Sequence, residues 1–117
     1  MVGGEQSAFQ NLRVWQSAMK VSRLTYKYTA QLPLEEQFGL ISQMRRCAVS
    51  IPSNIAEGAR RGSKKEFKQF LRIAAGSAAE LETQSPLAEE FFFITAEDLQ
   101  SELIKAQKML ESLMQKL

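Results

Sequence analysis

The chain has 117 residues, 44% of them hydrophobic and 24% charged, with a formal net charge of +2, one cysteine and no histidine. That length closes one core and not two, no apolar run approaches the ~20 residues of a membrane span, and a lone thiol forms no intramolecular disulfide, as fits the cytoplasm. Without histidine there are no Ser-His or Cys-His nucleophile pairs, no histidine metal sites and no Glu-x-x-His pairs of the kind that build metal centres into helical bundles, so the composition predicts no enzyme, no metal and no cofactor.

Residues 1–8 are polar and glycine-containing and are expected to be disordered, with no secretory pattern among them; residues 9–117 are expected to form the single domain. A first helix should begin at Asn11, a good N-cap residue, and run to about Gln31, ahead of Pro33. Trp15, Ala18, Met19, Ser22, Thr25, Tyr26 and Thr29 recur at spacings of three and four and should face the core.

A second helix should run from Leu34 or Glu35 to Ala59, with Glu35 and Glu36 at the positive end of its dipole and Gly58 and Gly62 bracketing its end. Pro52 lies in its middle and predicts a kink, because the ring clashes with the Ala48 carbonyl and removes one donor. Gln43, Arg46, Ser50, Asn54 and Glu57 form one polar stripe. Leu40, Met44, Cys47, Ile51, Ile55 and Gly58 form the stripe beside it, and Ile41, Ala48, Pro52 and Ala59 widen the apolar arc past half the circumference. A rim helix needs only about 100° of apolar surface. The excess predicts two buried faces, one of them against another chain.

Ser63-Lys64-Lys65-Glu66 is a capping box opening a third helix with a core stripe of Phe67, Phe70, Leu71, Ala74, Ala78 and Leu81. Residues 74–79 have almost no side-chain bulk, so a partner helix should approach closely at Gly76. Pro86 should kink or end this helix, Phe91 to Phe93 should turn an apolar corner, and Thr95 to Asp98 reads as a second capping box. Leu99, Leu103, Ala106, Leu110, Leu113 and Leu117 then form an unbroken heptad seam. With short connections, the expected fold is all-α: an antiparallel up-down-up-down four-helix bundle.

The charges are sorted. Arg13, Lys20, Arg23 and Lys27 share one sector of about 80° on the first helix, which carries no acid. Arg61, Lys65, Lys68 and Arg72 share a face of the third helix or its approach, whereas residues 80–102 hold seven acids and no base. The sharper reading is a groove in which both basic stripes neutralise the phosphates of RNA or DNA. The plainer one is a scaffold whose basic and acidic regions meet between subunits. No aromatic platform for stacked bases is interleaved with these cations, which opposes sequence-specific single-strand recognition. Arg46, Ser50, Pro52, Asn54 and Glu57 are read as an oligomer interface, with Arg46 paired to Glu57 or to a neighbouring subunit's acid and Ser50 and Asn54 completing a buried network. The other reading of Arg46, Asn54 and Glu57 is a ligand-contact set. Cys47 is expected in the core, and Glu80 and Glu82 diverge too far to act as a catalytic pair.

The string Gln43-Met44-Arg45-Arg46, followed by Ser50-Ile51-Pro52-Ser53-Asn54-Ile55-Ala56-Glu57-Gly58, resembles the signature of a bacterial four-helix-bundle family. Its members are encoded by intervening sequences in 23S ribosomal RNA genes, and its relatives include the accessory variability determinant proteins of diversity-generating retroelements. Asn11 to Gln16 resembles the family's opening. Phe67 to Leu71, Gly76-Ser77 and Glu80-Leu81-Glu82 resemble its third helix. The resemblance implies a homo-pentamer that engages structured RNA and a reverse transcriptase or other protein partner through basic surfaces. Pro86 departs from it, standing where relatives continue the helix with leucine-like residues.

Overall fold

A computed structural model describes residues 8–117. Four helices follow one another: α1 (Arg13–Thr29), α2 (Leu40–Ala59), α3 (Lys64–Phe92) and α4 (Glu97–Gln115), with 3-10 turns at Ala8–Asn11 and Leu34–Glu36. Each packs against its neighbours in sequence and α4 closes back on α1, while α1 and α3 stand diagonally apart. The fold is the expected four-helix bundle. The terminus expected to be disordered lies outside the described residues, except for Ala8, which opens the first turn.

The helix boundaries differ where local capping differs. Asn11 is taken up in the 3-10 turn, and α1 starts one residue after Leu12 without a side-chain cap. The buried residues of α1 are Val14, Ser17, Ala18, Val21, Thr25, Tyr28 and Thr29. Of the expected stripe Ala18, Thr25 and Thr29 are fully buried, Trp15, Met19 and Ser22 are half-buried, and Tyr26 is 45% exposed. α2 begins at Leu40 because Glu36, from the preceding turn, folds its carboxylate back to accept from the Leu40 N–H at 3.1 Å. Ser63 caps α3 as predicted, accepting from the Glu66 N–H at 3.1 Å. The Thr95 capping box does not form. Glu89, from the last turns of α3, caps α4 instead, accepting from the Ala96 N–H at 2.8 Å and from Gln100 Nε2 at 2.9 Å.

Neither proline ends its helix. α2 runs unbroken through Pro52, and the Ala48 carbonyl that loses its ordinary donor accepts instead from Ser22 Oγ of α1 at 2.9 Å. α3 runs six residues beyond Pro86 to Phe92, so of the kink or ending expected there the ending does not occur. Pro86 and Glu82 are both on the exposed side of α3.

The wide apolar arc of α2 is used entirely within the chain. Ile41, Met44, Cys47, Ala48, Ile51, Pro52, Ile55 and Gly58 are all buried, because α1 covers one side of the arc and α3 the other. The arc therefore gives no ground for a second chain. Close approach also occurs elsewhere than predicted. A Cβ on Gly58 would meet Phe70 Cβ at 2.6 Å, whereas Gly76 faces open space.

Candidate nucleic-acid interface

α1 buries the face carrying Val14, Ala18 and Val21, so the sector carrying Arg13, Lys20, Arg23 and Lys27 is turned outward and all four are exposed. They differ in their surroundings. Lys20 pairs with Glu102 of α4 at 3.4 Å, while Arg13, Arg23 and Lys27 make no ion pair among the described residues. Glu102 is largely buried and accepts from Ser17 Oγ at 2.6 Å. That hydrogen bond, opposed by burial and helped by Lys20 and Lys105, holds its carboxyl below the ordinary range.

The basic cluster of α3 divides in the same way. Lys65 and Arg72 are exposed and Lys68 is half-buried. Arg61 is engaged twice, in a 2.7 Å ion pair with Glu57 and in a stack over the Phe70 ring at 4.9 Å. Arg60 likewise lies over Phe9 at 5.4 Å. Phe9 and Phe70 sit beside these cations, but the chain's own guanidinium groups cover them, so they offer no open platform for stacked bases.

The two predicted stripes do not face one another across a groove, because α1 and α3 stand at opposite corners. α4 lies between them, and its exposed side carries Lys105, Lys108 and Lys116. A groove of about 500 Å³ runs between the start of α1 and the end of α4, with Leu12, Met109 and Leu113 in its wall and Arg13, Lys108 and Lys116 around it. The sequence reading missed the lysines of α4. They are spread along a helix that also carries acids, so no stripe stands out, and only the α1–α4 pairing brings them to Arg13.

Of the residues read as an interface, Ser50 and Asn54 do form a network. Asn54 Nδ2 donates to the Ser50 carbonyl at 2.8 Å and to Ser50 Oγ at 2.9 Å, and Ser77 Oγ of α3 donates to Ser50 Oγ at 2.8 Å. Arg46 is exposed and does not pair with Glu57. Glu57 has Arg61 one turn away, whereas Arg46 lies eleven residues along the helix, about 16 Å distant. Pro52 is buried inside the chain and has no surface to give another subunit. Cys47 is buried as expected, between Glu80 and Gln84, and burial first of all raises its thiol pKa. Among the described residues, no cluster of carboxylates and cysteine could hold a metal ion.

The fold and its charged face can be set beside known proteins. The model of the 23S rRNA-intervening sequence protein family matches residues 10–114. The chain belongs to that family. A structure from Bacteroides thetaiotaomicron, described as a protein of unknown function from the S23 ribosomal protein family, is similar to this family member at a TM-score of 0.77. The match covers 87% of this chain and 95% of that one at 24% identity, which speaks to the fold alone. No curated protein matches the chain. No helix among the described residues is long and apolar enough to cross a membrane.

Proposed function

We propose that this intervening-sequence family member is a non-enzymatic accessory module of the cytoplasm that binds structured RNA through the basic side formed by α1, α4 and the start of α3. The observation that carries the reading is the outward sector of α1. Arg13, Arg23 and Lys27 span about 21 Å of helix without an acidic partner among the described residues. The groove holding Arg13, Lys108 and Lys116 extends it. Such cations bind by neutralising phosphates and releasing counterions, and carry little sequence information by themselves. Lys65, Lys68 and Arg72 add a second contact area, and Lys20 and Arg61, already engaged within the chain, contribute less. Duplex DNA would meet the same cations but present a different groove shape.

Assembly belongs to the same proposal. The outer seam of α2 and α3 presents Arg46 beside the half-buried Ser50 and Asn54, with Ile73 and Leu87 52% and 39% exposed and Gly76 open. A homo-oligomer, with the pentamer as its expected order, would cover this seam and leave α1 and α4 outward for RNA and a protein partner such as a polymerase. In the competing reading the protein is a scaffold with no nucleic-acid ligand, and the internal pairing of Lys20 with Glu102 favours it.

Fluorescence anisotropy with a structured RNA and a duplex DNA across a salt series, with light scattering on the same samples, separates the two. A binder keeps its mass while log affinity falls against log salt with a slope of roughly −3 to −5 for about five phosphate contacts. Replacing Arg13, Lys108 and Lys116 together with alanine should reduce that slope by about 3. Absence of binding at low salt, or an unchanged slope in the triple variant, would eliminate the RNA reading.

A further inference from the structure

Between α1 and the start of α2 lies an open cleft of about 560 Å³, within the roughly 300–1,000 Å³ of ligand clefts. Its apolar lining is Tyr26, Phe38, Ile41 and Val49, and its charged lining is Arg45 and Arg46, with no carboxylate. Ile41 is buried in the core, but Phe38 is 90% exposed and Tyr26 and Val49 are exposed as well. Packing within the chain does not account for these three.

The two arginines differ. Arg45 is fixed: its guanidinium lies over the Tyr26 ring, 4.4 Å from the centroid, and it donates from Nε to Thr29 Oγ1 at 2.8 Å and from Nη2 to the Tyr26 carbonyl at 3.4 Å. With those donors engaged, little of its edge is left to fork a carboxylate, and Arg45 with Tyr26 makes one held, cationic stack. Arg46 is exposed and makes no ion pair among the described residues. Arg23, likewise unpaired, lies one turn before Tyr26 on α1, whereas Lys27 turns to the α1–α4 side. Of the nearby carboxylates, Glu36 caps the Leu40 N–H, and Glu80 of α3 lies against Cys47 on the other side of α2. Glu35, exposed in the turn before Gln37, is set against Arg23, Arg45 and Arg46.

We infer that this cleft receives an unpaired nucleotide of a bound RNA, its base stacked on Phe38 and the Arg45–Tyr26 pair and its phosphates held by Arg23 and Arg46. Aromatic and guanidinium planes beside free cations suit a base with its phosphate. An acidic peptide would need the fork that Arg45 has already committed. Gln37 and Ser42 line the same cleft and can hydrogen-bond the base edge. Tyr26 and Phe38 stand twelve residues apart in the chain, so no aromatic–basic pattern marks them, and only the packing of α1 on α2 brings them to one cleft. The inference rests on the RNA reading and adds a preference to it. A stem lies along the basic side, and a bulge or loop beyond Arg23 places its extruded base in the cleft.

The test compares a blunt RNA duplex with the same duplex carrying one bulged fluorescent adenine analogue. The full chain should bind the bulged duplex about tenfold more tightly, and the analogue's fluorescence should be quenched as it stacks. Phe38→Ala, which should fold because Phe38 is in solvent, should lose both the preference and the quenching and keep its affinity for the blunt duplex. Phe38→Trp should retain them. Equal binding of the two duplexes, or a preference unchanged in Phe38→Ala, would overturn the inference and leave the RNA reading standing, whereas absence of binding to either duplex would remove both. If Phe38→Ala keeps the RNA preference but loses binding to a peptide of phenylalanine and glutamate, the cleft takes an acidic protein segment and the inference fails. A fall in assembly mass in Phe38→Ala would also overturn it, assigning the cleft to self-association.

Discussion

The Ser22 hydroxyl is placed where Pro52 leaves a gap, and that relation can be measured. Pro52 has no N–H, so the Ala48 carbonyl on the buried side of α2 depends on Ser22 Oγ, 2.9 Å away on α1. In Ser22→Ala the carbonyl is left without its donor. A lost hydrogen bond costs about 1 kcal/mol net, and a stranded buried acceptor raises this towards 3; Ser22 is itself half-buried, so about 1–2 kcal/mol is expected. For a chain of this size that is roughly 4–8 °C in melting temperature. In Pro52→Ala the restored N–H of residue 52 satisfies Ala48 along the helix, and Ser22→Ala in that background should cost about 0.5 kcal/mol or less. Urea unfolding of the wild type, both single variants and the double variant closes the cycle, with an expected coupling of about 1 kcal/mol. If removing the hydroxyl costs the same in both backgrounds, Ser22 does not serve the carbonyl that Pro52 strands, and the account of an unbroken α2 is wrong.

Two glycines in long helices should respond in opposite directions. Gly58→Ala places a Cβ 2.6 Å from Phe70 Cβ and should destabilise by about 1–3 kcal/mol as α2 and α3 are forced apart. Gly76→Ala meets nothing and should stabilise by about 0.5–1 kcal/mol through helix propensity; thermal melts compare the two directly. The Glu102 carboxyl, held low chiefly by the Ser17 hydroxyl and then by Lys20, stabilises the fold above its unfolded pKa. That contribution should be lost as pH falls through the lower folded value. Denaturation at successive pH values should show the acid-side loss reduced in Glu102→Gln, which at neutral pH should be about 1.5–3 kcal/mol less stable than the wild type.

The helix count, the order and the seam of α4 were legible in the sequence, because Leu99, Leu103, Ala106 and Leu110 follow a strict spacing and face inward. What escaped depended on partners distant in the chain. The continuation of α2 past Pro52 rests on Ser22, which lies thirty residues earlier. The cap of α4 comes from Glu89 across the connection rather than from Thr95. The wide arc of α2 was read as an external interface, although a helix at the corner of a bundle has two neighbours within its own chain. The basic stripes were legible one helix at a time. Their diagonal separation, and the lysines of α4 between them, follow only from packing.

Much of the interior is alanine: Ala18, Ala48, Ala74, Ala78, Ala88 and Ala106 are all fully buried. Methyl groups are interchangeable, so a helix sliding by one turn, about 5.4 Å, would still find methyls to pack against. Directional bonds make such a slide costly. Ser22 locks α1 to α2, Ser77 locks α3 to α2, Ser17 and Glu102 lock α1 to α4, and Gln100 locks α4 to α3 through Glu89. Each adjacent pair of helices thus carries its own polar key, cut to a single position. A bundle keyed in this way can exchange much of its apolar filling and keep its shape, as long as the few hydroxyls and carboxylates at the seams stay in place.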